Sequence, residues 1–283
     1  MKSKARQISR IIEPQAVVEG AGVRLKRSIG TRELDYLDPF LLLDHFASKD
    51  PADYQAGFPL HPHRGIETVT YLLTGAVRHR DSVGNAGEIG PGDLQWMTAG
   101  RGILHEEMPQ VRPEGVAGFQ LWVNLPKKQK MVAPRYQNVH ANEIAVVERG
   151  EGAVVRVIAG SVDGVTGPIR GIAAEPTYLD VALVPEGSFA QPVPRGHSAF
   201  AYLFEGEARF GAGDSAPMKA PKLVVWGVGD SIEVSADKSP ARFLLVSGAP
   251  LDEPIARYGP FVMTTKAEIE QTLRELQQGT FAR

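Results

Sequence analysis

The chain contains no cysteine. That excludes disulfides, thiolate metal sites and cysteine nucleophiles, and it leaves any bound metal to nitrogen and oxygen donors. Net charge is also scarce. The 31 Lys and Arg nearly balance the 33 Asp and Glu, for a formal charge of −2, and basic residues form no long block. No direct nucleic-acid binding and no membrane-surface binding is expected from such a surface. The most basic stretch, Pro126–Met131 (Pro-Lys-Lys-Gln-Lys-Met), reads as a solvated loop. No apolar run approaches the ~20 residues of a membrane helix. The basic start, Met1 to Arg6, lacks the apolar run of roughly 7–15 residues that a secretory signal needs. A cytoplasmic protein is the expectation.

Helical periodicity is rare as well. One stretch, Thr265–Gln278, carries Ile269, Leu273 and Leu276 at helical spacing, with a Thr265/Glu268 capping box before it and Gly279 as its stop. Turn formers are abundant instead. The 30 glycines and 21 prolines make up about 18% of 283 residues, against an average of roughly 12%, and they are spread along the whole chain. Between them lie short β-like runs, among them Glu67–Leu73, Phe119–Leu125, Ala153–Ile158, Tyr178–Leu183, Ala199–Phe204 and Arg242–Val246. Many short strands with regular turn signals predict an all-β protein built from sandwiches or closed barrels, with one C-terminal helix.

An internal repeat refines this. Leu60–Gly75 superposes without gaps on Gln191–Gly206 at an offset of 131 residues, matching Arg-Gly and Tyr-Leu-x-x-Gly. Val228-Gly229-Asp230 is taken as the counterpart of Pro91-Gly92-Asp93. Two similar β-domains in tandem are therefore expected, residues 1–140 and residues 141–283, the second ending in the helix.

Two segments carry chemistry: His61-Pro62-His63 and His105-Glu106-Glu107. In a strand, residues two apart share a face and lie about 6.6 Å apart. His61 with His63, and His105 with Glu107, can each face one point. If the strands meet, three imidazoles and a carboxylate converge as a ligand set for one divalent first-row metal. Glu67 competes for the fourth place. It lies about 13 Å along a straight strand from His63, too far to ligate the same ion unless the chain bends at Arg64-Gly65, so Glu107 is taken as the ligand. Glu67 is kept as a partner that orients a histidine or takes a proton. Under the repeat, the ligand positions of the second half read Pro192, Pro194, Arg242 and Leu244, which cannot replace the set. The second half should be metal-free. His45, His79, His140 and His197 lack a partner at ligand spacing and are read as surface or hydrogen-bonded core residues. Trp96, Met97 and Trp122 are read as core.

The donor set suits Fe(II), with Cu, Ni or Mn as alternatives. Zn is usually tetrahedral, and a closed four-ligand zinc site would be structural. Two open positions on an octahedral ion would admit a substrate oxygen and O₂ side by side.

At this point the motifs resemble a family. His61 to Gly75 resembles the first metal motif of cupins, and Pro91 to Pro109 resembles the second as it is written in pirins. Phe40-Leu-Leu-Leu-Asp44 and Gly259-Pro-Phe-Val-Met263 are similar to further pirin segments. The resemblance implies two tandem cupin-type jelly-roll β-barrels, with iron bound only in the N-terminal one by His61, His63, His105 and Glu107. The residue between His105 and Glu107 is often smaller in the family, and here Glu106 adds an outward charge. Two activities are implied. One is a quercetin 2,3-dioxygenase-like oxidoreductase that opens a flavonol ring with O₂ and releases carbon monoxide, with Glu107 or Glu67 accepting the substrate hydroxyl proton. The other is a redox-sensing regulator that binds a protein partner, either a transcription factor or a metabolic enzyme.

Overall fold

A computed structural model describes residues 4–150, 152–211 and 215–282. Among the described residues the chain is all-β apart from short 3₁₀ turns and one α-helix, Lys266–Gln277. The helix starts on the expected capping box. Thr265 Oγ1 accepts from the Glu268 amide at 3.2 Å, and the Glu268 carboxylate accepts from the Thr265 amide at 2.9 Å.

The chain divides into two compact units, residues 15–141 with 251–283, and residues 1–14 with 142–250. In the first unit a seven-stranded antiparallel sheet runs in the order Arg135–Val139, Leu94–Thr98, Ile66–Thr74, Val116–Asn124, Phe40–Ser48, Val23–Ile29, Gln15–Glu19. A four-stranded sheet runs Phe58–His63, Ile103–Pro109, Val77–Asp81, Ala86–Ile89. Contacts such as Thr70 to Glu107 and Gln95 to His79 put the inner faces of the two sheets against each other, as in a jelly roll. Strand Val116–Asn124 shows how sequence alternation sets this up. Phe119, Leu121 and Val123 are buried on one face, while Gln120 and Trp122 on the other look toward the four-stranded sheet.

The expected domain division is corrected at both ends. The junction falls between Ala141 and Asn142, but the chain termini are exchanged. Arg6, 2% exposed, ties the first residues to the second unit by donating to the carbonyls of His197, Gly227 and Pro194, and strand Ile8–Ile12 pairs with Lys222–Trp226. The helical segment is tied to the first unit by two buried cations. Arg64 donates to the Phe281 carbonyl at 3.0 Å and Thr272 Oγ1 at 3.1 Å, and pairs with Glu275 at 2.7 Å. Lys130 Nζ donates to the carbonyls of Gly65 (2.9 Å) and Val262 (2.8 Å) and to Asn124 Oδ1 (2.7 Å). The Pro126–Met131 stretch is thus no free loop, because burial of Lys130 requires these three acceptors. Gly65, at φ +77°, lies where a Cβ would run into the Val262 carbonyl oxygen, so only glycine fits between the strands.

In the second unit the long strands Ser198–Phe210 and Ser231–Gly248 bend to serve both walls of one nine-stranded sheet. Its interior is filled by buried apolar side chains such as Val155, Val181, Phe210 and Phe243. Two expected counterparts need correction. Val228-Gly229-Asp230 follows strand Lys222–Trp226, whereas Pro91-Gly92-Asp93 precedes strand Leu94–Thr98. Counting onward from it therefore overshoots. Pro192, the counterpart of His61, pairs with Ser231, so Ser231 stands where His105 does. Arg242 instead holds Asp180 through two hydrogen bonds of 2.9 and 2.7 Å, and Leu244 lies opposite Asp180 in the sheet register.

Arg64→Ala strands the Phe281 carbonyl and Glu275 and removes the tie to the helix. We expect a loss of about 3 kcal/mol, read as a melting temperature lower by roughly 6–12 °C, with faster amide exchange across Lys266–Gln277. Unchanged exchange in that helix would contradict the anchoring role.

Candidate metal centre

Strand Phe58–His63 pairs antiparallel with Ile103–Pro109 in a register that sets His61 opposite His105 and His63 opposite Ile103. Directly opposed residues share a face, so the three imidazoles project into the interior between the sheets. Their ring centroids are 4.8 Å (His61–His63), 4.5 Å (His61–His105) and 5.0 Å (His63–His105) apart. One ring nitrogen from each lies within 4.8 Å of the other two.

Their hydrogen bonding points to a cation. His61 Nδ1 lies 2.9 Å from the Pro59 carbonyl and must donate to it, which fixes the tautomer and turns the Nε2 lone pair inward. That Nε2 is 3.0 Å from Nε2 of His63, a distance at which two lone pairs repel unless a proton or cation lies between them. His105 is 1% exposed, and among the described residues neither of its ring nitrogens has a hydrogen-bond partner. A buried imidazole without partners is costly, and a metal ion would satisfy it. Burial, helped by the neighbouring His61 and His79, pushes the pKa of His105 down to about 3. Burial likewise holds His63 well below 6.5. Both stay neutral at physiological pH, the form that ligates. The residues fit a divalent metal ion.

Glu107 borders this cluster on the same face. It is 6% exposed, and its Oε2 lies 4.0 Å from His105 Nε2. Oε1 is 2.9 Å from Thr70 Oγ1, and Oε2 accepts from Gln120 Nε2 at 3.3 Å. Glu106 points outward, as expected, and pairs with Arg80 at 2.6 Å.

Glu67 lies elsewhere, which corrects its expected role. It sits opposite Val123 and Thr98, whereas Thr70 and Thr68 oppose Gln120 and Trp122 on the inward face. Its Oε1 accepts from Thr98 Oγ1 at 2.7 Å. The left-handed Gly65 breaks the chain between the two strands, so face parity counted from His63 does not carry across it. Burial raises the Glu67 pKa, but its carboxylate faces away from the imidazoles.

The cluster opens on a cavity of about 640 Å³. His61, His63 and Glu107 form one side, with Trp122, Phe46, Tyr54 and Leu42 among the largely apolar wall. Trp122, expected in the core, stands edge-on to His63 at 5.1 Å. Three more residues escaped the sequence reading. Thr70 and Gln120 hold Glu107, and Arg257 lines the cavity from the returning C-terminal segment. His79 faces Glu107 across the strand pair and accepts from Gln95 Nε2 at 3.0 Å. These pairings depend on register between distant strands. Only the alternation around Gln120 and Trp122 hinted at a polar inner face.

Comparison with known proteins agrees with the two-barrel fold. The family described as Pirin matches residues 22–123, and Pirin C-terminal cupin domain matches residues 178–282. A pirin-like protein of Caulobacter vibrioides is 45% identical over 277 residues, covering 98% of this chain and 99% of its own. Human pirin is 46% identical over 264 residues, covering 92% and 88% respectively. A crystal structure of quercetin 2,3-dioxygenase from Acinetobacter baumannii superposes with a TM-score of 0.88 at 34% identity, covering 98% of each chain.

Two outcomes test the site. His105→Leu should abolish stoichiometric uptake of a divalent metal, measured by elemental analysis after dialysis, while uptake matching the parent would refute the ligand assignment. The same substitution should alter the pH response of the metal-free protein. The folded chain refuses a proton on His105 until about pH 3, whereas the unfolded chain accepts it near 6.5. The unfolded state therefore binds more protons between those values, and stability falls as pH drops below 6.5, by about 2 kcal/mol at pH 5 for this one group. Denaturant unfolding at pH 7 and pH 5 should show that loss in the parent and a smaller one in the variant.

Proposed function

The chain belongs to the pirin family, and from that premise we propose that its first barrel is a metal-dependent dioxygenase centre acting on a flavonol such as quercetin. The carrying observation is an apolar cavity of about 640 Å³ opening directly on a buried trihistidine cluster. A redox-sensing site that serves only as a structural element needs no such space, whereas a flat aromatic substrate does. The A. baumannii quercetin 2,3-dioxygenase, alike over nearly the whole chain, supports the same reading.

His61, His63 and His105 would hold the ion, with Glu107 as fourth donor. Fe(II) is the proposed ion, with Ni, Mn or Cu as substitutes. When bound, it would supply Lewis-acid binding for a substrate oxygen and a redox partner for O₂. The protein does the rest. Glu107 accepts the 3-hydroxyl proton on Oε2, which makes the electron-rich enolate. Thr70 and Gln120 fix that carboxylate. Trp122 and the apolar wall hold the ring system and exclude water. Both atoms of O₂ enter the opened product, and the excised carbon leaves as carbon monoxide.

The alternative is a regulator that binds a transcription factor or a metabolic enzyme through the barrel mouth. It expects a filled or flat mouth, and the cavity speaks against it.

Aerobic incubation of the protein loaded with Fe, Ni, Mn or Cu with quercetin should bleach the flavonol absorbance and release carbon monoxide in equal amount. Glu107→Gln should lower kcat about 10²- to 10⁴-fold. If no metal supports bleaching, the enzyme reading fails.

A further inference from the structure

Five charged side chains line the cavity: Glu19, Arg27, Asp44, Glu107 and Arg257. Four are engaged with one another or with polar neighbours. Arg27 meets Asp44 with two hydrogen bonds of 2.7 Å and Glu19 with a third of 2.7 Å, and these carboxylates, with Asp35, act on Arg257 only from beyond salt-bridge distance. Glu107 is held by Thr70 and Gln120.

Arg257 differs. Among the described residues it pairs with no carboxylate within salt-bridge distance, and its one hydrogen bond is a long one, 3.4 Å to the Leu41 carbonyl. Its guanidinium lies 5.2 Å over the Trp122 ring. A guanidinium stacked on an aromatic face keeps its in-plane N–H donors free while losing side-chain freedom, so it meets an anion already oriented. Trp122 in turn lies 5.1 Å from His63. Laid end to end, these separations put Arg257 at most about 10 Å from the imidazole cluster. A two- or three-ring aromatic molecule is long enough to reach from the cluster to Arg257.

We propose that Arg257 is the anion-recognition residue of this cavity, selecting aromatic ligands that chelate the metal at one end and carry a carboxylate or other acidic group at the other. The proposal rests on the flavonol-type reading of the site and adds a charge requirement to it. A ligand with such a group gains a bidentate, charge-assisted contact. A neutral one leaves the Arg257 donors to water.

The test uses full-length protein loaded with Ni(II) and kept anaerobic, so that binding is read without turnover. It is titrated by calorimetry with 3-hydroxyflavone and with the same molecule bearing a 4′-carboxylate. The expected result is about tenfold or more tighter binding of the carboxylate. Arg257→Met, which keeps the apolar contact with Trp122, should erase that preference; Arg257→Lys should keep part of it. Equal affinities in the parent protein, or a preference that survives in Arg257→Met, would overturn the proposal and leave the flavonol reading standing. Failure of both compounds to bind would overturn both. Should Arg257→Met fold poorly, the parent comparison and Arg257→Lys still decide.

Discussion

The register between strands Phe58–His63 and Ile103–Pro109 is the constraint on which the site depends. With His61 opposite His105, all three imidazoles fall on the inner face. A slip of one residue would turn Pro62 and Leu104 inward and send the histidines out. The register is held from both sides, because Ile103–Pro109 also pairs with Val77–Asp81 and sets His79 opposite Glu107. Burying three imidazoles and a carboxylate in one interior disfavours the fold until a cation joins them. The unpartnered nitrogens of His105 mark that incomplete balance.

The second requirement is closure of the site by the end of the chain. Strand Phe58–His63 is followed at once by Arg64 and Gly65, and both are used up in docking residues 260–281. Arg64 carries the helix, and Lys130 joins Gly65 to Val262. Through this docking the returning segment brings Arg257 and Pro260 to the cavity. Ligation and wall-building are therefore coupled within four consecutive residues, His61 to Arg64. The pattern His-Pro-His-Arg-Gly thus sets two candidate ligands before an anchor and a hinge.

Much of this was legible in the sequence, for reasons that can be named. The alternation of His61 with His63, and of His105 with Glu107, is local information, and strand periodicity converts it directly into a shared face. The capping box at Thr265 is equally local. What could not be read needed long-range register or backbone geometry. The direction of Glu67 depends on whether the chain bends at Gly65, which strand counting leaves open. Counting from Val228-Gly229-Asp230 misplaces the counterpart of His105, because that turn lies on the other side of its strand. Trp122, an aromatic residue in an apolar run, reads as core until the facing sheet is known. The exchange of the two chain ends between the units left no sequence signal except the buried arginines, and burial of a single Arg6 or Arg64 cannot be read from composition.

The interiors of the two barrels are filled differently. In the second, residues such as Val155, Val181, Phe210 and Phe243 fill the space, and the ligand positions of its counterpart strands hold Pro192 and Ser231. Its interior contributes burial free energy of roughly 25 cal/mol per Å² of apolar surface. The first barrel gives up part of that contribution. Its inner face carries Thr70, Gln95, Gln120, Trp122 and His79 around a cavity of about 640 Å³. A polar inner face is tolerable only when its groups satisfy one another, and here they do so as linked sets: Thr70 and Gln120 on Glu107, and Gln95 between His79 and Asn138. The same network that makes the open interior tolerable fixes the direction in which the Glu107 carboxylate points. Stability and positioning of the candidate proton acceptor are thus one arrangement of hydrogen bonds.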